Sequence, residues 1–229
     1  MTLEDKELAA IVKKARRKNN RKIIFTIIFS LILFIGVPLT LYLRYYNYGP
    51  FQGDKMAGVP DNHLVQSEND NGLSGLLFDY GSHLMFNTHA TSITVFVDTY
   101  HFGDRVGHDS AASLTYEKDV DLSGYMNIGF PKGEGKLLTE IFSKGAKSSA
   151  ITDLTQYGYP TEDEEASPPF GGVISIENNQ VKIQKKQEIP LFYLASGDAL
   201  KIYDDFKLNI AHENLKASDL VFYIYALVE

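Results

Sequence analysis

The chain predicts an α+β protein: one N-terminal transmembrane helix, then a domain outside the membrane on a mainly antiparallel or mixed sheet with a few short helices. Three observations predict it. Residues 23–43 (IIFTIIFSLILFIGVPLTLYL) hold no charged side chain. Lys and Arg crowd the stretch just before that run, and only Arg44 follows it before Lys55. Beyond it, strand-like apolar segments separated by Gly, Pro and Asn alternate with few helical ones and lack regular βαβ spacing.

At about 1.5 Å of rise per residue, the 23–43 run makes a helix roughly 30 Å long, the thickness of a bilayer's hydrocarbon core. An unpaired backbone group in lipid costs several kcal/mol, so such a run should be helical. A buried core helix is shorter and keeps a polar face. A secretory h-region is about 7–15 residues and ends in a small-x-small cleavage site, whereas this run leads into Leu43-Arg44-Tyr45-Tyr46. Pro38 lies toward the outer end, where a kink is tolerated and Ser or Thr hydroxyls can take up a freed carbonyl.

Lys13, Lys14, Arg16, Arg17, Lys18, Arg21 and Lys22 precede the run. The Lys/Arg excess stays cytoplasmic, so the N-terminus is expected inside and the C-terminal bulk outside. Tyr42, Tyr45, Tyr46 and Tyr48 cluster at the exit, as amphipathic rings do at the headgroup boundary. The expected division is a cytoplasmic tail over 1–22, the span over 23–43, a stalk over 44–75 and the exterior domain over 76–229.

Residues 1–22 carry net charge +5 against −7 for the whole, leaving −12 beyond. An acidic exterior domain is a poor binder of nucleic acid, which needs a basic footprint. The chain has no Cys, which excludes a disulfide scaffold, a thiolate metal site and a thiol nucleophile. Nothing indicates a cofactor.

In the tail, Thr2 reads as an N-cap with Asp5 three positions on, and Leu8, Ile11, Val12 and Ala15 recur at helical spacing. The basic residues contact anionic lipid at about 1 kcal/mol each in one reading. In the other, Leu8, Ile11 and Val12 form a docking face for a cytoplasmic or intramembrane protein partner.

After the span, residues 47–71 are rich in Gly, Pro, Asn and Asp and read as an irregular lead-in. Residues 68–72 (ENDNG) resemble a calcium loop but lack its first Asp and closing Glu. The folded part is expected from about Leu76, with strands over 76–86 and 92–102, a polar loop over 103–113 and strands over 114–120 and 125–130. Residues 136–142 suggest a short helix with Leu137, Leu138, Ile141 and Phe142 apolar and Gly145 as C-cap. A strand or its entry over 150–154 and an acidic loop over 161–169 follow. Residues 173–176 and 181–184 flank Glu177-Asn178-Asn179-Gln180 as a β-hairpin. A helix over 199–206 comes next, and then 220–228 (LVFYIYALV), apolar enough for a central strand covered on both faces.

The richest polar cluster is 101–109 (HFGDRVGHD), with His83 and His89 upstream. His101, Asp104 and His108 are weak metal candidates, because their spacing matches no ligand motif. A carboxylate pair could come from Asp98, Asp104 or Asp109. No nucleophile elbow, Walker loop or Rossmann fingerprint occurs, so no catalytic residue is assigned and an enzyme is not expected.

The residues LAAIVKKARRKNNRKIIFTIIFSLILFIGVPLTLYL at 8–43 make the layout similar to the membrane-anchored sigma-factor regulators (anti-sigma proteins) of Gram-positive bacteria. A second likeness covers YMNIGFPKGEGKLLTEIFSKGAKSSAITDLTQYGY at 125–159, where the family shows strand, Pro-containing turn, helix, second strand and an aromatic-Gly ending. The resemblance implies a plasma-membrane protein whose tail or span restrains a regulatory partner such as a sigma factor. Its exterior domain would sense envelope state or bind a membrane co-regulator. Two other readings stand beside it: an exterior assembly module of an envelope or secretion complex, and a cell-surface hydrolase or metal-dependent enzyme.

Overall fold

The computed structural model describes residues 3–67, 77–159, 170–174, 179–197 and 209–229, and of 3–11, 170–174 and His212 the backbone alone. It begins with one long helical rod: α1 (Leu3–Leu31), a π turn (Ile32–Gly36) and α2 (Val37–Tyr45). Its apolar side chains are bare, Phe25 at 71% and Phe34 at 74% exposure. Val12–Tyr45 is long and apolar enough to cross a membrane. Pro38 explains the π turn. A proline has no N–H and its ring crowds the carbonyl four residues back, and widening the preceding turn relieves that crowding. Val37 N–H accordingly reaches back to Ile32 O, and Thr40 Oγ1 donates to Gly36 O at 2.7 Å.

Most of the remaining described residues form a nine-stranded sheet whose strands pair antiparallel throughout. Its strands are β1 (His63–Gln66), β2 (Phe78–His101), β3 (Asp104–Pro131), β4 (Lys136–Ser143), β5 (Ala146–Asp153), β6 (Phe170–Ile174), β7 (Gln180–Lys182), β8 (Glu188–Ser196) and β9 (Leu220–Val228). The main path runs β5-β4-β3-β2-β9-β8-β6, with β7 beside β1 and β1 beside β2. Strands β2 and β3, 24 and 28 residues long, form a single hairpin with four register shifts. Such bulges add twist, and the hairpin serves two half-sheets. Its open end joins β1, β4 and β5, and its closed end joins β9, β8 and β6. The halves meet across the main core, where Phe130 of β3 lies edge-on to Phe192 of β8 at 5.8 Å.

Strand β9 is central and covered on both faces, as its apolar run predicts. Phe222 and Ile224 enter the main core, while Val221, Tyr223 and Tyr225 pack with Tyr193, Ala195 and Leu215 in a second cluster. Leu215 of that cluster comes from the six-residue helix α3 (His212–Ala217).

Three local expectations are corrected. Residues 136–142 are strand β4: Leu137, Thr139 and Ile141 face inward while Leu138, Glu140 and Phe142 face out. The apolar pairs at 137–138 and 141–142 fit either period, and the tight Lys144-Gly145 turn, both residues at positive φ, selects the hairpin with β5. Gly145 is therefore a turn residue and not a helix cap. Residues 103–113 are not a loop: Phe102 and Gly103 alone make the turn, at φ 47° and 90°, and the polar residues after it form β3. Nor do β6 and β7 make a hairpin, since β6 pairs with β8 and β7 with β1. Residues 68–72, 161–169 and 199–206 lie outside the described residues.

Candidate functional site

Three places hold polar side chains in defined geometry: the junction between rod and sheet, the closed end of the β2–β3 hairpin, and the outer face of the β1–β5 half.

The junction begins at the end of α2. Asn47 takes the left-handed conformation (φ 54°) that ends many helices. Its buried amide then donates to Val59 O at 2.8 Å and to Asp61 Oδ1 at 3.0 Å. Gly58 N–H returns to Tyr46 O at 2.8 Å. Deeper in, Asn87 of β2 accepts from Met56 N–H at 2.9 Å and donates to Met56 O at 2.9 Å and Val59 O at 2.7 Å. Ser123, opposite Asn87 on β3, adds its hydroxyl to Met56 N–H at 2.7 Å. Tyr45 meets His63 edge-on at 6.3 Å, beside Tyr42, Tyr46 and Tyr48. Burial opposes ionisation of Asp61, but hydrogen bonds from Lys55 and Asn47 outweigh it and hold the carboxyl below its ordinary value. The segment read as a stalk thus contains β1 and is tied to the sheet from Asn47 to Gln66.

At the closed end of the hairpin, Asp98 is buried and accepts three donors: His108 Nδ1 at 2.6 Å, Arg105 Nη1 at 3.3 Å and the Tyr100 hydroxyl at 3.3 Å. His108 stacks on Phe96 at 5.1 Å, Phe96 on Tyr225 at 5.5 Å and Tyr225 on Tyr223 at 5.0 Å. This arrangement satisfies a buried carboxylate and locks the strands. His101 points to the other face, where its Nε2 meets Tyr157 O at 2.9 Å. The suggested set of His101, Asp104 and His108 is therefore not assembled, and among the described residues no three His, Asp or Glu gather as metal ligands. His89 pairs with Asp121 at 2.8 Å on the surface.

The outer face of the β1–β5 half carries side chains in rows across the strands. Nearest the junction, Tyr125 of β3 stacks on Phe142 of β4 at 5.2 Å. A polar row follows: Ser67, His83, Asn127, Glu140 and Ser149. An apolar row comes next, with Phe78 over Gly129, then Leu138 and the 67%-exposed Ile151. Gly129 is required here, because a Cβ would come within 2.7 Å of the Phe78 ring. The last two rows line a groove of about 670 Å³. Within it His83 Nδ1 donates to Asn127 Oδ1 at 2.6 Å, and Asn127 Nδ2 donates to Glu140 Oε1 at 3.3 Å. Glu140 also pairs with Lys147.

Of the residues picked out from sequence, the tail helix carries Leu8, Ile11 and Val12, and Val12 is 49% exposed. Lys13, Lys14, Arg16, Arg17, Lys18, Arg21 and Lys22 are all exposed on α1. Sequence reasoning passed over Asn47, Asn87, Ser123, Asn127 and Glu140. Only the period-two pattern of β4, had it been preferred, would have placed Glu140 on an outer face.

No family model, no curated protein and no solved structure matches the chain.

Proposed function

We infer that the protein is a noncatalytic single-pass membrane regulator or sensor, with residues 1–22 cytoplasmic, 23–43 in the bilayer and the sheet domain outside. The observation that carries this reading is the junction. Asn47 from the end of α2 and Asn87 from the sheet both bind the 56–61 segment and share Val59 O, so a helix fit for lipid runs into the sheet without a loose tether. A state change in the exterior domain then has a mechanical route to the tail. The bare apolar rod and its cationic end support the orientation. In the finer form of the proposal, Leu8, Ile11 and Val12 hold a cytoplasmic or intramembrane partner, in the manner of anti-sigma proteins.

The Cys-free chain makes the test direct. Single cysteines at Lys18 and Ser149 are probed in intact cells with a membrane-impermeant maleimide. Ser149→Cys should label at once and Lys18→Cys only after permeabilisation; the reverse pattern, or labelling of both, overturns the topology. Leu8→Asp combined with Ile11→Asp should release the partner while leaving insertion intact. Partner retained in a pull-down of that double variant counts against the docking face.

A further inference from the structure

We propose that the groove across β1–β5 is a binding site for a neutral oligosaccharide. The assignment names what the exterior domain would sense and so rests on the functional reading above for its setting, although binding itself can be measured apart from topology.

The hydrogen bonds in the polar row fix its donors and acceptors. Asn127 must turn Nδ2 toward the Glu140 carboxylate, which cannot donate, so its Oδ1 faces His83. His83 therefore carries its proton on Nδ1, and Nε2 remains as an acceptor when the ring is neutral. Asn127 keeps a second amide hydrogen, and Ser149 brings a hydroxyl that both gives and accepts. Lys147 neutralises Glu140. The row thus offers mixed donors and acceptors without net charge, which disfavours phosphate, carboxylate or ammonium ligands.

The flanks add the second requirement. A wholly apolar ligand would strand the polar row without water, and each group left unsatisfied opposes binding. A ligand polar on every side would gain nothing from Phe78, Leu138 and Ile151 beside that row. Pyranose rings have hydroxyl edges and apolar C–H faces, and meet both demands. At about 4.8 Å between strands, the row from β1 to β5 is about 19 Å long, room for a short chain of such rings. The side chains already hold one another, so little freedom remains to be lost on binding.

The test uses the purified full chain in a detergent without a sugar headgroup, titrated calorimetrically with cellotetraose, chitotetraose and maltotetraose. At least one should saturate the chain at millimolar concentration or below. Asn127→Ala should weaken that binding at least tenfold, and Ser149→Trp, at an exposed position where folding is undisturbed, should abolish it. Lys118→Ala, on the exposed part of β3 away from the groove, should leave it unchanged. No saturation by any of the three sugars, or equal affinity for wild type and Ser149→Trp, overturns the proposal, as does capture of dodecanoate in the groove with no sugar bound. Sugar binding alongside a reversed maleimide pattern would sink the topology and spare the groove; the converse result would do the opposite.

Discussion

The side chain of Asn87 holds the backbone of Met56 as one peptide group holds another: it accepts from Met56 N–H and donates to Met56 O, both at 2.9 Å, across 31 residues of sequence. Its second amide hydrogen goes to Val59 O. Replacement with Ala leaves Met56 O without its side-chain donor and takes one of two partners from Met56 N–H, which keeps Ser123, and from Val59 O, which keeps Asn47; an unsatisfied group costs about 1–3 kcal/mol. Asn87→Ala should lose about 1–3 kcal/mol of stability, read by urea unfolding of the full chain in detergent. Hydrogen exchange at Met56 should quicken well before exchange in β9 does. Equal protection of Met56 in variant and wild type would show that the junction is held elsewhere.

Asp61 gives the same junction an acid limit. Its folded pKa lies below the ordinary value near 3.8, so the folded state binds fewer protons than the unfolded one in that range. The stabilisation is complete above the unfolded pKa and is lost as pH falls through the folded one. Proteolysis after Lys55 should therefore accelerate below about pH 4. Asp61→Asn should remove that acid dependence, leaving a pH-independent rate over the same interval.

Gly124 lies where β3 and β4 begin to pair, opposite Ser143, and a Cβ there would collide with the backbone carbonyl of Phe142. Backbone cannot step aside as a flexible side chain can. Gly124→Ala should cost about 3 kcal/mol and release β4 and β5 first, seen as early loss of exchange protection in 136–153. Gly145→Ala is a weaker perturbation, because nothing lies within 4 Å of its Cβ position and only its positive φ resists.

At the alkaline end the tyrosines take over. Burial, reinforced by Asp98 and Glu188, pushes Tyr225 up to about 12. Burial with Asp79 nearby does the same for Tyr159, and burial with Glu188 raises Tyr223 as well. Each folded pKa exceeds the unfolded value near 10, so the stability they contribute is intact below pH 10 and drains away as pH climbs from 10 toward 12. Absorbance titration at 295 nm should show a set of tyrosines that ionise only together with unfolding. Smooth ionisation of all tyrosines near pH 10 in a still-folded chain would contradict this.

Asp98 supplies the last prediction. Removing the acceptor shared by His108, Arg105 and Tyr100 should destabilise Asp98→Ala by about 1–3 kcal/mol, while Asp98→Asn should recover part of the loss. The two variants should leave junction exchange at Met56 unchanged.

The sequence was most readable where one short stretch determines its own environment. The 23–43 run declares itself by the lack of any charge over 21 residues, and the 220–228 strand by its unbroken apolar and aromatic side chains. Residues 136–142 are ambiguous because Leu137-Leu138 and Ile141-Phe142 satisfy both a helical and an alternating period, and the Lys144-Gly145 turn, one element later, decides between them. His101 and His108 look like one cluster in the string, yet the alternation of β2 and β3 sends them to opposite faces. The junction is hidden for another reason: Asn47, Met56, Asn87 and Ser123 come together only after β2 and β3 have paired, and Asn and Ser in a Gly- and Pro-rich stretch read locally as turn residues. The polar row of the groove likewise takes members from four strands and from Ser67, just beyond β1.

The π turn at Ile32–Gly36 holds one residue more than an α turn would need to cover the same advance. Rewound as α-helix with the same residues, the rod would swing its cationic end by about 100° about the helix axis relative to the sheet. Relief of the proline's crowding has thus set the azimuth of the tail, and the direction in which Val12 faces depends on a spare residue some twenty positions away.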